Sequence, residues 1–326
     1  MAPAMLNKSS KTVCVMDASG LVGTTLVHSL LQRGYIVHAA LHNYHHDIDE
    51  YLQTLERGNE SKNYNKKLRV FHSDPLDYYS IMDALKGCSA LFYSFDPPPQ
   101  QPSYDEFMDE LEVRAAHNVV EACAQTDTIE KVVFTSSATA VIWRDHHQGE
   151  DGGGNDDIDV TIDERNWSDI SFCRKFKLWH GLSKTMAEKA AWSLAMDRGL
   201  NMVTINSGLI MSPELTIKEP YLKGAAEMFE DGILVTVDLK FLVDAHICVF
   251  EDVSSYGRYL CFNRVINSNK DAVKLANMLL PPSSNEQHQS MDDKKSNYQH
   301  VRISNKKLCK LMVDYDNTSS QLVASS

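Results

Sequence analysis

The chain has 326 residues, 43% hydrophobic and 23% charged, with a formal net charge of -12. That balance suits a globular protein with a sizeable core, and the acidity argues against nucleic acid or anionic membrane surfaces as partners of the whole chain. No run reaches the ~18 uncharged apolar residues of a membrane span, "MAPAMLNKSSK" lacks the apolar stretch of a secretory leader, and seven cysteines without C-x-x-C spacing read as reduced thiols, so a cytoplasmic location is expected.

The first element is an apolar strand, Val13 to Met16, followed by a small-residue turn and an amphipathic segment from Leu21 to Gln32 that Gly34 stops. "YIVHAAL" is a second strand, so the chain opens with a βαβ unit. The pattern repeats: "KLRVFHSD" is a strand, "LDYYSIMDALKG" a helix, "CSALFYSF" a strand, "EFMDELEVRAAHNVVEACAQT" a long helix and "KVVFTSSA" a strand. Near-continuous apolar strands alternating with helices predict an α/β fold with a doubly wound parallel sheet. Residues 145–159, acidic and glycine-rich, read as an exposed loop. A helix is expected from about Phe176 to Met196, then the strand "NMVTINSGLI". After Pro213 the elements shorten, which predicts a smaller substrate lobe. Residues 281–297 read as a linker, "HVRISNKKLCKLMVDY" as strand–helix–strand, and the polar end "NTSSQLVASS" as frayed. The expected division is therefore a Rossmann-type domain over 1–205, with 236–256 returning to it, and a smaller lobe from 206–235 and 257–326.

The turn after the first strand reads Asp17-Ala18-Ser19-Gly20-Leu21-Val22-Gly23. Spacing of the G-x-x-G-x-x-G kind lets the backbone approach a pyrophosphate closely and sets it at a helix N-terminus. Two of the three glycines stand, as Gly20 and Gly23. The first is Asp17, which brings a like charge towards phosphate and a Cβ into a tight turn. Asp17, Ser19, Gly20, Leu21, Val22 and Gly23, with His42 at the end of the second strand and Asp74 at the end of the third, are the candidate cofactor-binding residues of this part of the chain for NADP or NAD, with weakened affinity. His42 could donate to a 2′-phosphate, especially when protonated. The neighbouring "HNYHH" has no convergent carboxylate or cysteine and reads as a solvated loop rather than a metal site.

The blocks "DASGLVG", "NVVEAC", "VVFTSSATAV", "ERNWSDISFC", W-x-x-x-x-K-T-x-A-E-K-A-A-W over 179–192 and "VDLKFLVDAHICVFED" stand in order. Together they resemble the extended short-chain dehydrogenase/reductases, and within them the plant cinnamoyl-CoA reductase and dihydroflavonol reductase group. The resemblance implies a Rossmann-type domain with a smaller substrate lobe. It also implies hydride transfer between a nicotinamide cofactor and a small aromatic substrate, a phenylpropanoid thioester or a related carbonyl. By the same resemblance Ser137 is the serine that hydrogen-bonds the carbonyl, Lys184 the lysine that holds the nicotinamide ribose, and Asn118 the asparagine that supports the lysine. The position of the family's tyrosine is His180, and no tyrosine occurs between 176 and 192.

His180 and Lys184 are four residues apart and share a helical face. A nearby ammonium disfavours imidazolium, so His180 is expected to be neutral at pH 7. Three readings follow: a substituted acid in a working reductase, an inert residue in a degenerate site, or a side chain filling a helix face. Retention of Ser137 with Lys184 favours an attenuated reductase. Asp17 favours the alternative, a catalytically silent reductase-fold protein that binds a metabolite or a protein partner. The sequence leaves the oligomeric state open.

Overall fold

The computed structural model describes residues 11–42, 67–97, 103–145, 160–279 and 301–324. Almost all of the 145–159 loop, the 281–297 linker, and His45 and His46 lie outside these residues.

The expected βαβ succession is present. In chain order the first half comprises β1 (Thr12–Met16), α1 (Leu21–Gln32), β2 (Ile36–Leu41), β3 (Leu68–His72), α2 (Tyr78–Leu85), β4 (Ala90–Tyr93), α3 (Met108–Ala124), β5 (Lys131–Ser137) and the short α4 (Thr139–Ile142). The middle holds β6 (Val160–Ile162), α5 (Ile170–Lys175), α6 (Trp179–Arg198), β7 (Met202–Ser207), β8 (Leu209–Met211), a 3-10 turn at Pro220–Leu222 and α7 (Ala225–Glu230). The remainder is β9 (Val235–Asp238), α8 (Leu239–Glu251), β10 (Gly257–Cys261), β11 (Arg264–Val265), α9 (Asn269–Leu279), β12 (Val301–Ile303) and α10 (Lys306–Ala324).

Seven strands form one parallel sheet in the order β10-β7-β5-β4-β1-β2-β3. Successive side chains of a strand point to opposite faces, which is why β1 is apolar throughout. Val13 and Val15 join a core with Leu26, Leu30 and Leu242, whereas Cys14 and Met16 join one with Ile81, Val119 and Ala187. Each fully buried Val, Leu or Ile contributes roughly 1.5–3 kcal/mol, so burial on both faces stabilises the parallel arrangement. A smaller sheet, β11-β9-β8, and the β12–β6 pair build the lobe around Trp143, Leu178, Leu182, Met228 and Phe262.

Three expectations need correction. The segment 257–261 is not part of the smaller lobe: it is the edge strand β10, parallel to β7. Tyr259 and Cys261 feed the large sheet's core, and the buried Arg258 pairs with Glu188 at 2.7 Å. The stretch after β12 is one helix instead of helix then strand, because Leu308, Leu311, Met312 and Tyr315 recur at helical spacing. Leu308, Leu311 and Met312 pack into the large sheet's core. The end expected to fray continues this helix to Ala324.

The order of the sheet fixes the place of the site. β1 lies between β2 and β4, so the chain reverses its winding there. In open α/β sheets the crevice beyond the carboxyl ends of such a strand pair receives the ligand. Asp17 follows β1 and Ser94 follows β4 at that crevice.

Candidate active site

A cavity of about 550 Å3 opens at the switch point. Asp17, Gly20 and Val22 line it from the β1–α1 turn, Ser94 and Asp96 from the end of β4, Ser137 from β5, and His180 and Lys184 from α6. The smaller lobe closes the far side with Leu215, Glu219 and Tyr221.

The turn has the geometry of a phosphate cradle. A Cβ on Gly23 would lie 2.0 Å from the Asp17 carbonyl oxygen, so only glycine lets α1 approach the turn this closely. Gly20 caps α1 without any side-chain hydrogen bond, leaving first-turn amides to a ligand. Ser19 Oγ is buried beside the Asp17 carboxyl, a place that suits an incoming acceptor oxygen once Asp17 gives it up. These features fit a dinucleotide phosphate. Asp17 is the discordant residue. It adopts φ 63°, the left-handed region that favours glycine. Its Oδ2 lies 2.6 Å from where a Gly20 Cβ would stand, over the face a phosphate must reach. Burial, with Asp96 adding to it, pushes the Asp17 carboxyl up to about 8, opposed by hydrogen bonds from Ser94, the Gly20 amide and Ser19.

His42 and Asp74 come together at the ends of β2 and β3, with Nε2 3.9 Å from Oδ1. Asp74 Oδ1 also accepts the Leu76 amide at 2.8 Å. Neither residue lines the cavity itself.

Ser137, His180 and Lys184 do meet around the cavity, and Thr139 joins two of them. Ser137 Oγ accepts from the Thr139 amide at 3.2 Å and from Thr139 Oγ1 at 3.0 Å. His180 Nδ1 lies 3.0 Å from the same Thr139 Oγ1. The ring of Tyr104 stands edge-on to His180 with centroids 4.7 Å apart. Burial, then the Lys184 charge, holds the imidazole well below 6.5. Behind Ser137 a buried network fixes the end of β5. Ser136 Oγ donates to Glu188 Oε2 at 2.8 Å, and Asn206 Nδ2 donates to both Glu188 Oε2 and the Ser137 carbonyl.

Asn118 is not at the site. Its amide donates to the Pro75 carbonyl at 3.2 Å, because its position on α3 turns it towards the β3–α2 connection. Lys184 is instead held by Glu112, one helical face away, with Nζ 2.7 Å from Oε1. Ser183 Oγ donates to the other carboxylate oxygen at 2.5 Å, and the Tyr104 hydroxyl stands 3.4 Å from it. Sequence reasoning missed Glu112, Thr139, Tyr104 and Asp96. Glu112 had a signal: it shares a stripe with Ala115, Ala116 and Val119, all fully buried. A carboxylate in such a stripe needs a buried partner. Thr139 and Tyr104 had none, since their roles depend on where α4 and the segment before α3 fold back.

Comparison with known proteins gives this architecture a family. The model of the 3-beta hydroxysteroid dehydrogenase/isomerase family matches residues 14–190. The chain belongs to that family of extended short-chain dehydrogenase/reductases. Cinnamoyl-CoA reductase 1 of Petunia hybrida is 33% identical over 285 residues, covering 85% of this chain and 80% of that one. Cinnamoyl-CoA reductase 1 of Arabidopsis thaliana is 30% identical over 322 residues, covering 96% and 88%. Vestitone reductase from alfalfa shares the fold with a TM-score of 0.64 at 23% identity, over 92% of this chain and 91% of that one. The yeast reductase Gre2, solved with NADPH, also superposes with a TM-score of 0.64, at 16% identity and over 92% of each chain. The family expected from the sequence is borne out, as is the Rossmann-type sheet. Among the described residues no helix is long and apolar enough to cross a membrane.

Proposed function

We propose that the protein is an NAD(P)-dependent oxidoreductase of the cinnamoyl-CoA reductase-like group, acting on an aromatic carbonyl or thioester with reduced efficiency at neutral pH. The observation that carries this reading is the chain Ser137–Thr139–His180, with links of 3.0 Å, on the wall of a cavity that also holds Lys184 and the glycine turn. The relatives' names support the reaction class, and Phe95, Tyr104 and Tyr221 give the cavity aromatic walls.

When bound, the dinucleotide supplies the hydride. Gly20, Val22 and Ser19 would hold its phosphates, His42 and Asp74 the adenosine side, and Lys184 the nicotinamide side. Ser137 Oγ, which already accepts from Thr139, is left with its own hydrogen to donate to the substrate oxygen. As negative charge develops there, Ser137 passes its proton on and is resupplied by Thr139, and Thr139 by Nδ1–H of a protonated His180. Imidazolium is scarce at pH 7 because burial and Lys184 disfavour it, which accounts for an attenuated rate. Initial-rate measurements with NADPH and a panel of aromatic acyl-CoA esters and aldehydes test this reading. Turnover that Ser137→Ala abolishes supports it, and no turnover with any substrate between about pH 5 and 8, a span around the histidine reference value, refutes it.

A specific observation favours a second reading, that of a silent relative that binds a metabolite in the same cavity. Glu112 already neutralises Lys184, and Asp17 already lies over the phosphate cradle. Calorimetric titration with NADPH, NADH, NADP+ and NAD+ separates the two readings, since the silent relative need bind none of them.

A further inference from the structure

Asp17 stands where an anion should. The cradle offers the open end of α1, arranged for negative charge, while the Gly20 amide and the buried Ser19 hydroxyl beside it already turn to Asp17. The Asp17 carboxyl leans over Gly20 and takes part of that capacity for itself, with Ser94 Oγ 3.4 Å from its Oδ2. A second carboxylate, Asp96, follows on the same side after β4. Two carboxylates and a diphosphate would then share one partly enclosed space. Like charges in such a site are not all ionised together; one of them takes a proton.

We propose that Asp17 is a proton-operated occupant of the pyrophosphate seat, so that dinucleotide binds only to the form in which the Asp17 carboxyl is neutral. The inference rests on the dinucleotide reading above and adds to it a coupling between cofactor binding and proton uptake. A neutral carboxyl removes the repulsion and can donate a hydrogen bond to a phosphate oxygen. An ionised one must first capture a proton from solvent or leave its own hydrogen bonds.

The groups facing Asp17 set the direction of the pH dependence. Asp96 raises its affinity for a proton, while Ser94, the Gly20 amide and Ser19 lower it, and burial outweighs these three. Tyr93, at the end of β4, stays neutral because burial pushes its phenol well above 10. Across the cavity, Lys184 is tied to Glu112, and His180 titrates below the window concerned. With the Asp17 carboxyl at about 8, binding is pH-independent below that value. Above it, affinity falls by up to roughly tenfold per pH unit, the slope of one linked proton.

The test combines a ligand-free and a ligand-bound measurement. Carbon-13 NMR of the carboxyl resonances, with Asp17→Asn to assign the signal, follows Asp17 in the free protein. NADH fluorescence titration gives dissociation constants between about pH 6.5 and 9.5, a range in which model Asp and Glu groups have already lost their protons and model histidines lose theirs below about pH 7.5. NADH avoids a 2′-phosphate. Asn tolerates the left-handed backbone, so Asp17→Asn keeps the turn. The expected result is a carboxyl midpoint near 8, a wild-type affinity that falls above it, and flat profiles for Asp17→Asn and Asp17→Gly. A flat wild-type profile with measurable binding, a slope that persists in Asp17→Asn, or an ordinary carboxyl midpoint near ~4 overturns the proposal alone. Absence of NADH binding by wild type, Asp17→Asn and Asp17→Gly at every pH overturns the dinucleotide reading as well.

Discussion

Lys184 Nζ lies 2.7 Å from Glu112 Oε1, and both side chains are almost fully enclosed. The ammonium therefore reaches the cavity as half of an ion pair, with Tyr104 and Phe95 rings 5.7 Å and 5.5 Å from it. Removing one partner leaves a buried charge alone, which costs roughly 3–5 kcal/mol. Glu112→Ala should lose stability of that order in urea unfolding. The double variant Glu112→Leu with Lys184→Met should recover most of it. A double variant destabilised by the sum of the two single losses would show that the pair is not coupled.

Thr139→Val should interrupt the path from His180 to Ser137 while keeping the backbone amide that Ser137 accepts. Turnover should fall by roughly 10²-fold, the usual worth of positioned proton transfer, with KM for the carbonyl substrate little changed. A loss confined to KM would mark Thr139 as a packing residue.

His180 gives a pH prediction with a definite sign. Its imidazole is held well below 6.5 by burial and then Lys184, and the protonated form is the acid. Turnover should rise as pH falls, with the inflection below 6.5. Stability should move the other way. Below 6.5 the unfolded chain takes up a proton that the folded His180 refuses, so folding stability drops towards acid pH. His180→Gln should remove the rate inflection and reduce the acid destabilisation. His180→Tyr should retain or improve turnover at neutral pH, because Ser137 and Lys184 remain in place. Initial rates and chemical denaturation across the acid range check both.

Gly23→Ala should disable the turn, since the added Cβ would meet the Asp17 carbonyl oxygen at 2.0 Å and the Ala18 Cα at 2.8 Å. Both are backbone atoms, so the strand–helix connection itself must move. Forced overpacking costs roughly 1–3 kcal/mol. Denaturation midpoints and dinucleotide titration should show lowered stability and lost binding together.

Much of the fold was legible because strands buried on both faces leave unbroken apolar runs such as Val13 to Met16. The glycine turn, Ser137 and Lys184 were legible because local spacing carries them. Asn118 misled, since a motif position does not say which way a helix is rotated on its neighbour, and Glu112 of the same helix takes the lysine. β10 was obscured by Arg258, a charged residue within a strand that the large sheet buries. Its partner Glu188 lies 70 positions away, and its cover, Trp167, lies 3.6 Å from the guanidinium. Pairings across such distances in sequence leave no periodic trace.

On the proposed reading the dinucleotide gives its hydride to an aromatic carbonyl while Ser137 supplies the proton to the carbonyl oxygen. The most direct measurement is mass spectrometry of the product after incubation with NADPH deuterated at the transferable position and an aromatic acyl-CoA or aldehyde, near pH 6. Deuterium is expected at the former carbonyl carbon with the wild type, and no deuterated product with Ser137→Ala. Product without deuterium, or no product although NADPH binds, would contradict it.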